Sequence, residues 1–330
     1  MTTPKIEDVA AAAGVHRSTV SRAFSRPEAV KRETRDHVLQ VAASMGYTMS
    51  PLAQALRTKS STLVPLIVPD ITNPFFAELT KAMRAAAGER GYQLVLCVTE
   101  NDATATAGYL HAMRSMYAPF GVIAPLTQLD PAEFEPFGFG SRLVVIDRMA
   151  PDYHGPTVTV DNVKGIRLAF DHLVALGHRS IAYVAGIAGT HTAADRREAY
   201  HALARANDMV PLEFNEGIGA EAGERAAEHL ANMDGRPSAV IAANDVVAFG
   251  LISALGSRGL SVPNDVSVVG FDGLALGASG NPPLTSVRQP ITEMGRMGIE
   301  LAEQGADSGR AEHVVLRPRL LIRSSTGVAR

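Results

Sequence analysis

Arginine and serine side chains lie close together near the N-terminus, on a segment with helical periodicity. Arg17, Ser18 and Arg22 fall in the early turns of the segment from Arg17 to Phe24, away from its apolar face. From the N-terminal end of a helix, guanidinium and hydroxyl groups can reach base edges in the major groove of DNA. Donors that could contact phosphates are also nearby in the sequence, namely Lys5, Thr19, Ser21, Lys31 and Arg32.

Three short helices would position these side chains. Apolar residues recur at helical spacing from Ile6 to Ala13, and Gly14 then ends the helix before the second begins. A third helix is predicted from Arg32 to Met45, with Gly46 where a left-handed C-cap is needed. A helix, a glycine-containing turn and a second, polar helix predict a helix-turn-helix. A solvated three-helix bundle without DNA contacts is the alternative.

A further short helical segment follows this unit. Ser50 supplies an N-cap and Pro51 the first helical position, and the pattern continues to Arg57. So short a helix is marginal in water, and we expect it to form only against a partner. The polar residues after it are typical of a linker.

From Leu63 onward, short apolar runs alternate with helical patterns. We predict strands within seven runs, at residues 63–70, 93–99, 121–126, 143–147, 181–186, 239–243 and 266–272. This alternation is typical of parallel sheets with crossover helices, and the strands are too many for one small doubly wound domain. We therefore predict an α/β core of two doubly wound lobes, beginning near Leu63 and near Asp161. Ligands of such sheets bind beyond the carboxyl ends of the strands.

Charge is distributed unevenly along the chain. The 330 residues carry 31 Lys and Arg against 34 Asp and Glu, a net charge of −3, yet residues 1–60 hold nine basic and five acidic side chains. The basic N-terminal segment is suited to a polyanion. Neither a long apolar run nor a signal peptide is found, so we expect a cytoplasmic protein without membrane contact.

The motifs of common enzyme classes are missing. The single Cys97 excludes an intramolecular disulfide and a thiolate zinc cluster, and the ten histidines are scattered. The phosphate-binding loop, the H-E-x-x-H zinc motif and the G-x-S-x-G nucleophile elbow do not occur. We therefore expect no catalytic residue, no metal and no cofactor.

Sequence motifs across nearly the whole chain resemble the lactose-repressor (LacI/GalR) family. Residues 5–58, from KIEDVAAAAGVHRSTVSRAF to SPLAQALRT, closely resemble its DNA-binding head and hinge. Further matches follow in order, namely IVPDITNPFFAEL at 67–79, VVID at 144–147, VDN at 160–162, HLVALGHRSIAYVAG at 172–186, AANDVVAFG at 242–250, VSVVGFDG at 266–273 and LTSVRQP at 284–290. The resemblance implies an all-α helix-turn-helix head before a core like that of periplasmic binding proteins.

The resemblance also implies domain boundaries. A helix-turn-helix domain would span residues 1–49, a hinge helix and linker 50–60, and an effector-binding core 61–330. Within the core, we expect an N-lobe of about 61–160 plus 290–317 and a C-lobe of about 161–289 plus 318–330.

By this resemblance, the head reads DNA as a homodimer on a near-palindromic, double-stranded operator. Arg17, Ser18 and Arg22 take the base-reading positions. Leu56 matches a side chain wedged into the minor groove, and Ala53 matches a groove-contacting position.

Two N-caps in the head depart from the family pattern. His16 stands where Ser or Thr is usual, and Lys31 where Ser is usual. We expect weaker helix caps at both positions. Both side chains are also counted among the predicted DNA contacts, His16 as a possible cation at a phosphate.

The core of the family holds a small-molecule effector between its lobes. Matches to the family's effector contacts are Asp70, Asn73, Phe75, Asp147, Arg148, Arg196, Asn244, Asp272 and Gln289. Carboxylates accept and arginine donates hydrogen bonds, so Asp147, Arg196 and Asp272 could hold vicinal hydroxyls. Phe75 or Phe76 would offer an apolar face. A sugar or sugar derivative is the expected effector.

Several of these residues have structural alternatives. Asp70 and Asp147 could be turn residues at strand ends, Phe76 could belong to the core rather than to the ligand site, and Arg148 could form a surface ion pair. Arg197 stands where an aliphatic residue is usual and could take the role of Arg196.

Taken together, the motifs predict a transcriptional regulator, a repressor whose operator affinity is controlled by the effector, rather than an enzyme. A sugar-binding module or a sugar-processing enzyme without a regulatory role is the alternative.

Overall fold

The computed structural model describes residues 4–49, 55–56, 58–124, 139, 142–148, 153–186, 190–308 and 312–330. The chain divides into two compact units, one of residues 1–62 with 115–119 and one of residues 63–114 with 120–330. None of the described helices is long and apolar enough to cross a membrane.

Three helices build the first unit. They are α1 (Ile6–Ala12), α2 (Arg17–Ser25) and α3 (Arg32–Ser44), with a 3-10 turn at Pro27–Ala29 between α2 and α3. Each predicted helix is present, and its end lies within one residue of the expected position. Gly14 and Gly46 follow α1 and α3 with φ of 63° and 67°, a conformation that glycine adopts without steric cost.

A small valine and alanine core holds these helices together. Val9, Val20 and Val38 are fully buried, one from each helix, and alanines fill the space between them. In the predicted hinge segment the described residues include Ala55, which is buried, and Leu56, whose side chain is 58% exposed. Ala53 lies outside the described residues.

Twelve strands are described in the second unit. They are β1 (Leu63–Val68), β2 (Gln93–Val98), β3 (Gly121–Ile123), β4 (Leu143–Ile146), β5 (Thr157–Val160), β6 (Ile181–Ala185), β7 (Leu212–Asn215), β8 (Ala239–Ala242), β9 (Ser267–Asp272), β10 (Thr285–Arg288), β11 (His313–Leu316) and β12 (Arg319–Leu321). They form two six-stranded sheets, ordered β11-β5-β4-β3-β1-β2 and β12-β10-β9-β8-β6-β7. All described pairings are parallel except that of β10 with β12.

Helices cover both sheets. They are α4 (Pro74–Glu89), α5 (Ala103–Ser115), α6 (Asn162–Ala175), α7 (His191–Ala206), α8 (Ala220–Ala231), α9 (Asp245–Ser257) and α10 (Ile291–Ser308). In the first sheet, α4 and α10 pack together over a core centred on the buried strands. In the second sheet, α6 and α7 cover one face and α8 and α9 the other. The predicted fold of two doubly wound α/β lobes is confirmed.

The chain crosses between the two sheets at three described points. It leaves the first sheet after β5, returns to it between β10 and α10, and leaves it again between β11 and β12. Pro290 and Pro318 stand at the second and third crossings. The edge strands β11 and β12 are each reached only after the chain has crossed from the other sheet. The crossings therefore join the two sheets in one compact unit.

Candidate functional site

One cleft collects side chains from the carboxyl ends of strands in both sheets. The space between these side chains is about 540 Å³, a figure that includes open solvent at the mouth of the cleft. Eight of the nine predicted effector contacts line it, namely Asn73, Phe75, Asp147, Arg148, Arg196, Asn244, Asp272 and Gln289.

Asp70 is the predicted contact that the structure does not bring to the cleft. Its Oδ1 accepts hydrogen bonds from the backbone N–H and from the hydroxyl of Thr72, each at 2.7 Å. These bonds form an Asx turn between β1 and α4. The carboxylate thus shapes the turn in this structure, and the effector contact at Asp70 stays a prediction.

The first sheet contributes an apolar wall. Asn73 caps α4, its Oδ1 accepting from the backbone N–H of Phe75 at 3.0 Å. Phe75 and Phe76 then enter the cleft from the first turn of the helix, with ring centroids 5.2 Å apart and an edge-to-face geometry. Both rings are almost fully buried. The sequence left open which of the two would offer an apolar face, and the structure places both at the cleft.

Arg196 is fixed from several sides. Its Nε donates to Oδ1 of Asn162 at 2.8 Å, and its Nη1 donates to the carbonyl of Ala243 at 2.7 Å. The guanidinium carbon lies 3.5 Å from the ring centroid of Phe271, a cation–π contact. Burial lowers the pKa of Arg196, and the nearby Asp272 carboxyl opposes that shift. The guanidinium is thus held rigidly at the cleft wall.

Arg197 faces the other way. Its Nε donates to Oε2 of Glu213 at 2.9 Å, and its side chain is 55% exposed. It does not line the cleft. Of the two adjacent arginines, Arg196 is therefore the one in a position to meet a ligand.

Two aspartates stand at strand ends with unusual backbone angles. Asp147 follows β4 with φ of 72°, and Asp272 ends β9 with φ of 128°. Strained backbone of this kind persists where the surrounding structure holds it, often at functional sites. Asp272 Oδ1 accepts from Nε2 of Gln289 at 2.8 Å. Burial, together with the neighbouring Asp245 carboxyl, holds the pKa of Asp272 well above its usual range.

The remaining predicted contacts divide by role. Arg148 Nε lies 3.4 Å from Oδ2 of Asp147, an ion pair at the cleft wall rather than on the open surface. Asn244 caps α9, with its amide bonded at both ends to the backbone of Val247 and Ile218. Asn244 therefore positions the helix. Gln289 has a buried Oε1 without a hydrogen-bond partner among the described residues.

Three polar residues of the cleft were missed by sequence reasoning. Tyr183 lies in β6, and its buried hydroxyl has no partner in the described structure. Burial raises the pKa of Tyr183 to about 12, so the hydroxyl stays protonated. Thr190 caps α7, and Thr192 donates to the carbonyl of Asp147 at 3.3 Å. A tyrosine within the otherwise apolar run IAYVAG was the only signal available for them.

The chemistry of the cleft is that of a polyhydroxyl site. Carboxyl oxygens of Asp147 and Asp272 can accept hydrogen bonds, Arg196 and Tyr183 can donate them, and aromatic rings offer an apolar face. In the described part of the chain, no three His, Cys, Asp or Glu side chains are grouped to hold a metal ion.

The first unit presents the predicted DNA-reading side chains on α2. Arg17 and Arg22 are exposed, and Ser18 is half-buried. The Nε of Arg22 donates to the carbonyl of Ser18 at 3.1 Å, and its Nη2 donates to the Ser18 hydroxyl at 3.2 Å. Arg17 pairs with Glu7 at 3.6 Å, a weak exposed contact that DNA could replace.

The predicted phosphate contacts surround these residues. Lys5, His16 and Lys31 are exposed, whereas Thr19 and Ser21 are half-buried. All lie on or beside the first three helices.

The two unusual N-caps differ from each other. His16 Nδ1 accepts a hydrogen bond from the backbone N–H of Ser18 at 3.3 Å, so the imidazole caps α2 in place of a hydroxyl. Lys31, at the start of α3, makes no side-chain cap bond. The expected weak cap is found at Lys31, and at His16 the imidazole supplies the acceptor.

Comparison with known proteins matches both parts of the chain. Residues 5–50 match the bacterial regulatory proteins of the lacI family, and residues 170–326 match a periplasmic binding protein-like domain. The ribose operon repressor of Halalkalibacterium halodurans is 33% identical over 296 residues, which cover 90% of this chain and 88% of that protein.

Solved structures are similar over most of the chain or nearly all of it. A lac repressor dimer bound to operator and the anti-inducer ONPF has a TM-score of 0.88 at 26% identity, covering 99% of this chain and 100% of that one. A periplasmic binding protein/LacI transcriptional regulator from Alkaliphilus metalliredigens, complexed with D-xylulofuranose, has a TM-score of 0.72 at 26% identity, covering 81% and 99%.

The head and the cleft-bearing core thus occur together in relatives that are transcriptional repressors rather than enzymes. This protein is an effector-controlled, DNA-binding transcriptional regulator, and it belongs to the LacI family.

Proposed function

We propose that this protein is a dimeric cytoplasmic repressor whose operator affinity is set by a sugar of about pentose size. The main support for this proposal is that hydrogen-bond acceptors, donors and aromatic rings from both sheets line one cleft. The names of two similar proteins, a ribose operon repressor and a regulator complexed with D-xylulofuranose, support this size.

A neutral sugar fits the cleft better than a sugar acid. Asp147 is buried there, and a ligand carboxylate beside it would be repelled in a low-dielectric site. The raised pKa of Asp272 favours its neutral carboxyl, which gives a ligand carboxylate no counter-charge. The carboxyl oxygens of both residues can accept bonds from hydroxyls, with Arg196 donating to another oxygen. Phe75 and Phe76 would then pack on the less polar face of the ring. Asn73, Arg148 and Gln289 complete the proposed contacts, with Asn244 placing its helix.

The head would read the operator through α2. Arg17, Ser18 and Arg22 are the proposed base contacts. The proposed phosphate contacts are Lys5, His16, Thr19, Ser21 and Lys31. In the hinge, the exposed Leu56 would enter the minor groove beside Ala53.

The domain boundaries proposed from the sequence accord with this division of roles. A head at residues 1–49 and a hinge at 50–60 would precede a core at 61–330. The three crossings lie beside the proposed lobe boundaries near residues 160, 290 and 317.

Effector control would act through the lobes. A ligand that contacts both sheets stabilises the arrangement of the lobes in which both walls of the cleft contact the ligand. A preference of about 3 kcal/mol per dimer would change operator affinity roughly a hundredfold.

The test pairs two neighbouring arginines. Pentoses, hexoses and sugar acids are first screened by thermal shift, and operator binding is measured with the best ligand. Arg196→Ala should bind operator normally and lose the response to ligand, because its guanidinium lies at the cleft. Arg197→Ala should keep both, because its side chain points to Glu213.

A wild-type ligand response in Arg196→Ala would refute the assignment of the cleft. Failure to protect any operator in a footprint would refute the regulatory role itself. The two failures are separable, because the first concerns ligand and the second DNA.

A further inference from the structure

A second cavity lies at the crossings between the sheets. It is open to solvent, with about 690 Å³ of space that includes part of the solvent, and none of its lining residues lines the cleft. Arg288 ends β10 and Arg319 begins β12 in the second sheet, whereas Arg317 follows β11 of the first sheet. Thr292 and Glu293 reach it from the first turn of α10. The cavity is therefore walled by both lobes.

Its charge is strongly positive. Three arginines line it against a single acid, Glu293. Arg288 and Arg319 are direct partners in the antiparallel pairing of β10 with β12, where like charges destabilise a sheet. Among the described residues, no hydrogen bond or ion pair engages the guanidinium of Arg288, Arg317 or Arg319. All three side chains are exposed, so water screens this repulsion, and Glu293 offsets it only in part.

The backbone at the start of α10 adds to this positive potential. The eighteen-residue α10 begins at the cavity, and the N–H groups of Thr292 and Glu293 have no backbone acceptor in the described chain. Such N–H groups and the helix dipole favour an anion. Gly273, with φ of 68°, lets the Arg288 stem lie close, since a Cβ there would stand 2.4 to 2.8 Å from three of its carbons. The missing side chain at Gly273 thus leaves room for Arg288, whose side chain is exposed.

We propose that this cavity binds a small phosphate-bearing molecule, inorganic phosphate or a phosphate monoester. One carboxylate is satisfied by a single guanidinium fork, whereas three guanidinium groups and helix N–H groups match an oxyanion with three or more acceptor oxygens. Because the arginines come from both sheets, the bound anion bridges the lobes outside the effector cleft.

The test uses the full-length protein and inorganic phosphate against chloride at matched ionic strength. Titration calorimetry should show saturable phosphate binding, weakened about tenfold or more in Arg288→Gln and in Arg317→Gln. Glu293→Gln should strengthen it, because the one opposing charge is removed. Arg205→Gln, an exposed residue near the end of α7, is the matched control and should bind phosphate like wild type.

A second readout separates binding from a structural role. Without phosphate, Arg288→Gln should have a Tm equal to or above that of wild type, because it removes the opposed charge on β12. With phosphate, the wild type should gain more Tm than the variant. A variant with a lower Tm but an unchanged phosphate Kd would overturn the proposal.

Further arms identify the source of the phosphate. Glycerol phosphate represents monoesters, and a short non-operator duplex represents the DNA backbone. Binding of phosphate or glycerol phosphate that depends on Arg288 and Arg317 supports the site. No saturable binding of either, or variants that weaken only duplex binding, contradicts it.

Discussion

Tyr183 brings an unused hydrogen-bond donor to the cleft. Its hydroxyl is buried without a partner among the described residues, a costly state in the absence of ligand. We predict that Tyr183→Phe leaves the ligand-free protein as stable as wild type, or more stable, while weakening effector binding about tenfold. Urea unfolding without ligand and calorimetry with ligand measure the two effects.

Tyr200 is the matched control for this prediction. Its hydroxyl lies 2.9 Å from the carbonyl of Ile181 and accepts from the backbone N–H of Leu212 at 2.8 Å. Tyr200→Phe should therefore lose about 1–3 kcal/mol of stability and keep effector affinity. Equal effector affinity in wild type and Tyr183→Phe would show that the ligand does not use the Tyr183 hydroxyl.

Asp245 makes stability depend on pH. The residue is fully buried, and burial raises its pKa from 3.8 to about 6, against opposing hydrogen bonds from Ser286 and Leu274. A raised pKa in the folded state means that folding favours the protonated form. Its stabilising contribution is present below about pH 4 and is lost as pH rises through about 6.

We predict that Asp245→Asn reduces the loss of unfolding free energy between pH 4.5 and 7, because the amide does not ionise. Its stability at pH 4.5 should also be lower, since the amide replaces a carboxyl fitted to Ser286 and Leu274. Urea unfolding at both pH values tests this, with the exposed Asp234→Asn as control. If Asp245→Asn keeps the full wild-type pH difference, another group is responsible.

At the residue scale, the family resemblance identified most of the polar residues of the cleft. Asn73 follows β1, Arg196 lies on the helix after β6 and Asp272 ends β9, and the carboxyl ends of these strands meet at the cleft. Asp70 also follows a strand, but its carboxylate turned to Thr72 instead. Tyr183 could not be separated from core residues, because only the tertiary packing decides whether a strand side chain ends in protein or in a cavity.

At the element scale, substitutions at the two N-caps of the head should change its stability in opposite directions. His16 caps α2 through Nδ1, whereas Lys31 leaves α3 without a side-chain cap. We predict that His16→Ala destabilises the head by about 1 kcal/mol, and that Lys31→Ser stabilises it by a similar amount. Hydrogen exchange at the amides of α2 and α3 in the full-length protein reports each helix separately.

His16→Ser is the conservative control, since a hydroxyl restores the acceptor. It should retain the protection of α2 that His16→Ala loses. If both variants lose protection equally, the imidazole stabilises α2 by something other than the cap.

The strands show what sequence periodicity detects. All seven predicted strands are present, and each is an apolar run. The strands that were not predicted, β5, β7, β10, β11 and β12, have only three or four residues and mix polar with apolar side chains. Their pairing is set by distant partners, as when β11 joins β5 in parallel more than 150 residues away. The side chains of such strands are buried only once the sheet has formed, so their local sequence gives little indication of a strand.

At the scale of the whole second unit, polar contacts join the two sheet systems around the cleft. The Thr192 hydroxyl donates to the carbonyl of Asp147, and the backbone N–H of Ala275 donates to Oε1 of Glu78 at 3.0 Å. Glu78 lies on α4 of the first sheet system, and Ala275 begins the 3-10 turn after β9 of the second. These bonds favour the arrangement in which both walls face the same space.

Glu78 does not line the cleft. A substitution there can therefore change effector affinity without removing a ligand contact. A ligand that contacts both walls must stabilise the joined arrangement, and its apparent affinity falls when that arrangement is less populated. We predict that Glu78→Ala weakens effector binding roughly two- to tenfold, the range expected for one net hydrogen bond. Glu78→Gln keeps a carbonyl acceptor for the Ala275 N–H and should bind nearly as wild type. Calorimetry on both variants decides the matter: equal affinity in Glu78→Ala and Glu78→Gln would mean that this bond does not hold the lobes, and that the ligand alone brings the two walls together.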